Sequence, residues 1–206
     1  MKTLLVFLGC ILGGGAIGLF SALWYGGMVP GGPRMGSNLD VGGWSSDWSI
    51  GSENASPYVR ARIARFGLLA MRKDEAVYFG KAVDDLGDPM VESCTYRVSG
   101  RSMPARWWSI TLYNAESYLP SNDDGALSFD ATRVPEGNED WSFIVSPSAP
   151  GPDENGVDEA WVSSRAAGTF DLTLRLYSPT PELIEHPKRT LRSPTIERLS
   201  CGEASQ

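Results

Sequence analysis

Apolar and polar positions along the chain change their period three times, and each change marks a different kind of element. The first stretch has no period. Between Lys2 and Arg34 no charged residue occurs, and Leu4 to Val29 is apolar apart from small residues. A helix needs about 20 such residues to cross a hydrocarbon core. Trp24 and Tyr25 fall where an interfacial aromatic belt belongs. The pattern predicts a transmembrane anchor over residues 1–30. A cleaved signal peptide is the alternative, with Ala16-Ile17-Gly18 as its cleavage triplet; the apolar residues beyond Gly18 favour a retained helix. Lys2 and the terminal amine belong inside, while Asp40, Asp47 and Glu53 follow outside. The expectation is a single-pass membrane protein whose C-terminal part is periplasmic or otherwise extracytoplasmic. Cys10, Gly14, Gly18 and Ala22 recur every four residues, a small-residue face that is a candidate contact for a homodimer.

Thirteen of the 23 glycines occur by residue 51. The span 31–55, rich in Gly and Ser and without a period, reads as a flexible stalk. Trp44 and Trp48 interrupt it, and the pattern does not decide whether they dock on the domain or lie in the membrane interface.

Ser56-Pro57 supplies an N-cap and a proline at the first helical position. Val59, Ile63, Phe66 and Ala70 then recur at helical spacing, so an amphipathic helix is predicted from Ser56 to Met71. Arg60, Arg62, Arg65 and Arg72 line its other surface and read as a solvated face. After this helix the period becomes two. Glu75 to Val83 and Glu92 to Ser99 flank the turn-rich Asp85-Leu86-Gly87-Asp88-Pro89 and read as a hairpin. Arg106 to Tyr113, Ala126 to Phe129, Trp141 to Ser146, Phe170 to Tyr177 and Ile196 to Leu199 are further strands. Short strands separated by Pro and Gly clusters predict a mainly β domain over residues 56–206, an antiparallel sandwich or jelly roll.

Charge narrows the function. The chain carries 18 basic and 25 acidic residues, net −7. Residues 1–33 hold only Lys2, so the remainder has 17 against 25, net −8. Such a surface repels phosphate backbones, and nucleic acid is excluded as a partner. Cys10 lies in the anchor, which leaves Cys94 and Cys201 in an exported domain. One disulfide between them is expected, with two buried free thiols as the alternative.

Catalytic signals are few. His186 is the one histidine and sits in the polar loop Glu185-His186-Pro187. One histidine and two pairable cysteines do not make a zinc site, which needs three or four N or S ligands. No nucleophile-elbow motif accompanies a Ser-His-Asp arrangement. Asp153 to Glu159 is a dense acidic turn without the spacing of a calcium loop, and Asn122-Asp123-Asp124-Gly125 has turn chemistry. No Gly-rich loop precedes a helix in the exported domain, so nucleotide phosphates have no cradle. No metal and no cofactor is expected. Two strands stand out instead. In Arg106 to Tyr113, alternation places Trp108, Ile110 and Leu112 on one face and Trp107, Ser109, Thr111 and Tyr113 on the other. In Phe170 to Tyr177, Phe170, Leu172, Leu174 and Leu176 share one face, and Thr173, Arg175 and Tyr177 the other. The apolar faces are core. The second faces offer aromatic, hydroxyl and guanidinium groups able to stack a sugar ring or clamp a carboxylate. Trp107, Ser109, Tyr113, Arg175 and Tyr177 are the candidate ligand-binding residues. The competing reading is a half-buried face with Arg175 lying over the aromatics.

Tyr58-Val59-Arg60-Ala61, the predicted hairpin, Trp107-Trp108-Ser109-Ile110-Thr111-Leu112-Tyr113 and Leu174-Arg175-Leu176-Tyr177-Ser178-Pro179 resemble, in order, the bacterial family called domain of unknown function 1214. The resemblance runs from about Ser56 to Leu199 and implies a jelly-roll-like β-sandwich. Ala160-Trp161-Val162-Ser163 stands where the family tends to show Asn-Trp-Leu-Pro. The family name carries no activity. The functional expectation is therefore a membrane-anchored envelope module with a small-molecule or protein partner. A hydrolase acting on an envelope carbohydrate and a purely structural envelope protein are the alternatives.

Overall fold

The computed structural model describes residues 2–26, 29, 38–52, 55–65, 71–152, 156 and 159–202. The chain forms two compact units, Met1–Asn38 with Asp47–Arg72, and Leu39–Ser46 with Lys73–Gln206. Residues 31–37 of the expected stalk, and most of the acidic turn from Asp153 to Asp158, lie outside the described residues.

In the first unit, helix α1 (Lys2–Tyr25) contains Val6–Tyr25, long and apolar enough to cross a membrane. Its side chains are largely exposed, with Leu4 at 72% and Ile17 at 72%. Helix α2 (Pro57–Arg65) begins as its sequence predicts. Ser56 Oγ accepts from the Val59 N–H at 3.3 Å, satisfying one of the amides that a helix start leaves open. Ile63 is buried and Val59 half-buried. Phe66 and Ala70 of the predicted stripe lie outside the described residues.

The second unit is a sandwich of two sheets. One has six strands, β1 (Leu39–Val41), β2 (Trp44–Ser46), β3 (Ala76–Lys81), β9 (Phe170–Pro179), β5 (Ala105–Asn114) and β6 (Ser128–Asp130), in that spatial order. The other has four, β10 (Thr195–Cys201), β4 (Cys94–Gly100), β7 (Trp141–Ser146) and β8 (Trp161–Ser163). Two short helices, α3 (Pro181–Glu185) and α4 (Pro187–Thr190), link β9 towards β10. Pairing is antiparallel except for β7 with β8, which run parallel. The inner faces meet through aromatic contacts that cross from sheet to sheet. Phe129 of β6 stacks on Phe143 of β7 at 4.7 Å, Trp108 of β5 meets Trp141 of β7 at 4.6 Å, and Phe170 of β9 stands edge-on to Tyr96 of β4 at 5.8 Å. As alternation predicts, Trp108, Ile110 and Leu112 are buried together with Phe170, Leu172, Leu174 and Leu176.

Two expectations are corrected. Glu75–Val83 and Glu92–Ser99 do not form a hairpin: β3 pairs with β2 and β9, while β4 pairs with β10 and β7 in the opposite sheet. The connecting segment does turn, with Val83 bridging Pro89 and the Asp84 carboxylate accepting from the Leu86 and Asp88 amides at 2.9 and 3.1 Å. That turn passes the chain between layers. Secondly, Leu39–Ser46, inside the span expected to be stalk, is a hairpin that extends the six-stranded sheet beyond β3. Trp44 anchors it: the ring is fully buried and its Nε1 donates to the Pro194 carbonyl at 2.8 Å. The hairpin turns at Gly42 and Gly43, both with positive φ of 61° and 82°, a backbone that glycine adopts without steric cost. The mainly β sandwich is as expected, antiparallel throughout its long strands, with the short β8 joining β7 in parallel.

Cys94 and Cys201 are cross-strand partners at the ends of β4 and β10, with Cα atoms 3.9 Å apart and sulfurs within bonding distance.

Candidate functional site

Register decides which residues share the second face of the six-stranded sheet. Directly opposed residues on neighbouring strands project to the same side. Trp107 of β5 faces Tyr177 of β9, which faces Ala76 of β3. In the next row Asp130, Ser109, Arg175 and Tyr78 lie side by side on β6, β5, β9 and β3. The third row is Ser128, Thr111, Thr173, Gly80 and Ser45; the fourth pairs Tyr113 with Asp171. The five candidate residues therefore lie on one face. Trp107, Tyr113, Arg175 and Tyr177 are half-buried, and Ser109 is buried.

Arg175 is at the centre. Its guanidinium donates to Thr111 Oγ1 at 2.9 Å and to the Tyr113 hydroxyl, and lies over the Tyr113 ring with Cζ 5.2 Å from the centroid. Among the described residues no carboxylate forms an ion pair with it. Asp171, four residues before Arg175 on β9, is occupied with the Thr173 hydroxyl at 3.2 Å. Burial pushes the Asp171 carboxyl above its ordinary pKa, against the opposing pull of Thr173 and the Arg175 charge. Asp130 is likewise committed to its own chain, accepting from the Thr132 amide and hydroxyl. A guanidinium has five N–H donors. Arg175 uses two of its nitrogens on neutral hydroxyls, and among the described residues no carboxylate bonds it directly. Beside it, the Trp107 and Tyr177 rings lie 5.2 Å apart at 52°. Tyr78 stands next to Arg175 on β3, its hydroxyl pushed above the ordinary range by burial and by the Tyr177 phenol.

The alternation of β5 and β9 was sufficient to put Trp107, Ser109, Tyr113, Arg175 and Tyr177 on one face. It did not find Tyr78, Asp171 or Asp130. Tyr78 and Asp130 depend on the β3–β9 and β5–β6 registers. Asp171 was legible as the residue opposite in parity to Phe170. His186 is exposed at the junction of α3 and α4.

A family model described as "Protein of unknown function (DUF1214)" matches residues 75–181, the span from just before β3 to the start of α3. No curated protein matches the chain. The crystal structure of the VPA0106 protein from Vibrio parahaemolyticus is similar with TM-score 0.54 and 18% identity, over 71% of this chain and 36% of that one. An uncharacterised protein from Burkholderia cenocepacia is 18% identical over 64% of this chain and 31% of its own, with TM-score 0.38. The chain thus spans about a third of the length of either solved protein. The first likeness supports the fold of the sandwich and nothing further.

Proposed function

We propose that this chain, which belongs to the DUF1214 family of proteins of unknown function, is a membrane-tethered envelope module that binds a carboxylate-bearing ligand on the second face of its six-stranded sheet. The observation that carries the reading is Arg175. A half-buried cation without a carboxylate partner is costly to retain, and a planar carboxylate is the complement of its fork. The adjoining Trp107–Tyr177 pair offers a flat apolar surface, so a sugar ring bearing a carboxylate fits both parts. The tether is α1. Lys2 before it favours a sandwich outside the cytoplasm, and the Cys94–Cys201 pair suits an oxidising compartment.

Titration calorimetry of the detergent-solubilised protein with glucuronate and with glucose tests this. Glucuronate should bind and glucose should bind at least tenfold more weakly, because only the former engages the guanidinium. Arg175→Ala should abolish glucuronate binding and leave the melting temperature nearly unchanged. Equal binding of the two sugars, or a collapse of stability in Arg175→Ala, would make Arg175 a structural residue. Intact-mass measurement of the membrane fraction checks the tether: a species beginning near Leu19 would remove it.

A further inference from the structure

Asp171 is half-buried beside Arg175, yet among the described residues no cation bonds it. Register sets Asp171 of β9 directly opposite Tyr113 of β5. Arg175, four residues further along β9, does not stay in its own row. Its guanidinium reaches Thr111 Oγ1 in the next row and the Tyr113 hydroxyl in the row of Asp171. Between the two, Thr173 Oγ1 donates to Asp171 Oδ2 at 3.2 Å. Asp171, Thr173, Thr111, Tyr113 and Arg175 thus make one polar cluster, with the acid at the end towards which the guanidinium is extended.

The other charged and titratable groups on this face are Tyr78 on β3, Tyr177 on β9, Asp130 on β6 and Asp40 on β1. Asp130 is held by the Thr132 amide and Asp40 by the Gly43 amide at 3.2 Å. Arg175 is the one cation among them. A ligand carboxylate must therefore approach its guanidinium, and Asp171 is the acid beside that place. Two carboxylates at one half-buried cation do not both ionise at low cost; they share a proton. Burial already lifts the Asp171 carboxyl above its ordinary range against the pull of Arg175, which is the direction that sharing needs.

We infer that the ligand carboxylate enters this site together with one proton from water, held between it and Asp171, so that affinity rises as pH falls. The inference rests on the carboxylate-binding reading of Arg175 and adds its regulation. Ionised, Asp171 sets a negative charge against the incoming anion. Protonated, it is an O–H donor for the oxygens that the guanidinium fork holds.

Calorimetry of the full-length protein in detergent with glucuronate, from about pH 5 to pH 8 and in two buffers of different ionisation enthalpy, decides it. Wild-type affinity should fall with rising pH, by up to about tenfold per unit where one proton is linked. The buffer comparison should show net proton uptake. Asp171→Asn, which carries a donor at every pH, should bind glucuronate equally across the range, without proton uptake, and more tightly than wild type at pH 8. Histidine is the side chain whose charge ordinarily changes in this range, so His186→Gln is the control and should keep the wild-type profile. Should Asp171→Asn fail to fold, the proton count in His186→Gln decides alone: uptake supports the linkage and its absence overturns it. Binding that is indifferent to pH and takes up no proton overturns the linkage and leaves Arg175 a carboxylate site. So does a pH profile that survives in Asp171→Asn or vanishes in His186→Gln. Absence of glucuronate binding by the wild type at pH 5 overturns both readings.

Discussion

Asp171 and Asp84 are two acids whose surroundings move them in opposite directions, and the difference should be visible in stability. Burial raises the Asp171 carboxyl, so the folded state disfavours its ionised form. Its contribution is intact below the ordinary value of 3.8 and is lost as pH rises through the raised folded value. Asp171→Asn keeps an acceptor for Thr173 and removes that charge. Its melting temperature should exceed wild type at pH 7 and match it at pH 3, as followed by circular dichroism. Asp84 is also buried, which by itself would raise it, but Arg198 and the amides of Asp88 and Leu86 hold it below its ordinary range. Its stabilisation is present above 3.8 and disappears as pH falls below it. Asp84→Ala strands two amides and should cost about 2 kcal/mol in urea titration at pH 7. A loss under about 0.5 kcal/mol would mean that water replaces the carboxylate at the turn.

At the scale of elements, legibility followed strand length. β5 and β9 each have ten residues and one wholly apolar face, so Trp108, Ile110, Leu112 and Leu172, Leu174, Leu176 announced both strand and core. β1, β2 and β8 have three residues each, too few for an alternation to register; the equally short β6 was anticipated only because the largely apolar run Ala126 to Phe129 leads into it. They exist because neighbours recruit them. Trp44 is buried against chain near Pro194, some 150 residues later, and no local pattern encodes that contact. The false hairpin has a different cause. Asp84 to Pro89 specifies a reversal, but a turn does not state which sheet receives the next strand. With β3 misassigned, its partner β9 was unknown, and Tyr78 could not be placed beside Arg175. Trp44→Ala is the element-level test: it should cost about 3–5 kcal/mol by cavity formation and expose the β3 edge. A fragment beginning at residue 73 should be destabilised by a similar amount relative to one beginning at residue 38.

For the molecule as a whole, the closing constraint is the Cys94–Cys201 pair, 107 residues apart and joining β4 to β10 at one end of the smaller sheet. In the chain-entropy view a loop of that length restricts the unfolded chain by about 4–5 kcal/mol. Cys94→Ser/Cys201→Ser should therefore melt well below the oxidised wild type, and a reducing agent should lower the wild type to the same temperature. Equal melting points with and without reductant would show that the pair contributes nothing. Sequence identified this pair by counting alone, since the third cysteine falls in the apolar helix.

The edge hairpin also determines how the sandwich would respond to force. Tension applied at Leu39 acts on the outermost strand of the larger sheet. β1 meets β2 through three residue pairs, and β2 meets β3 where Ser45 pairs with Gly80. Antiparallel rungs pulled from one end open one after another rather than all at once. A pull at Leu39 would accordingly peel the hairpin first, and Trp44, lodged beside Pro194, is the catch on which that peeling would stop.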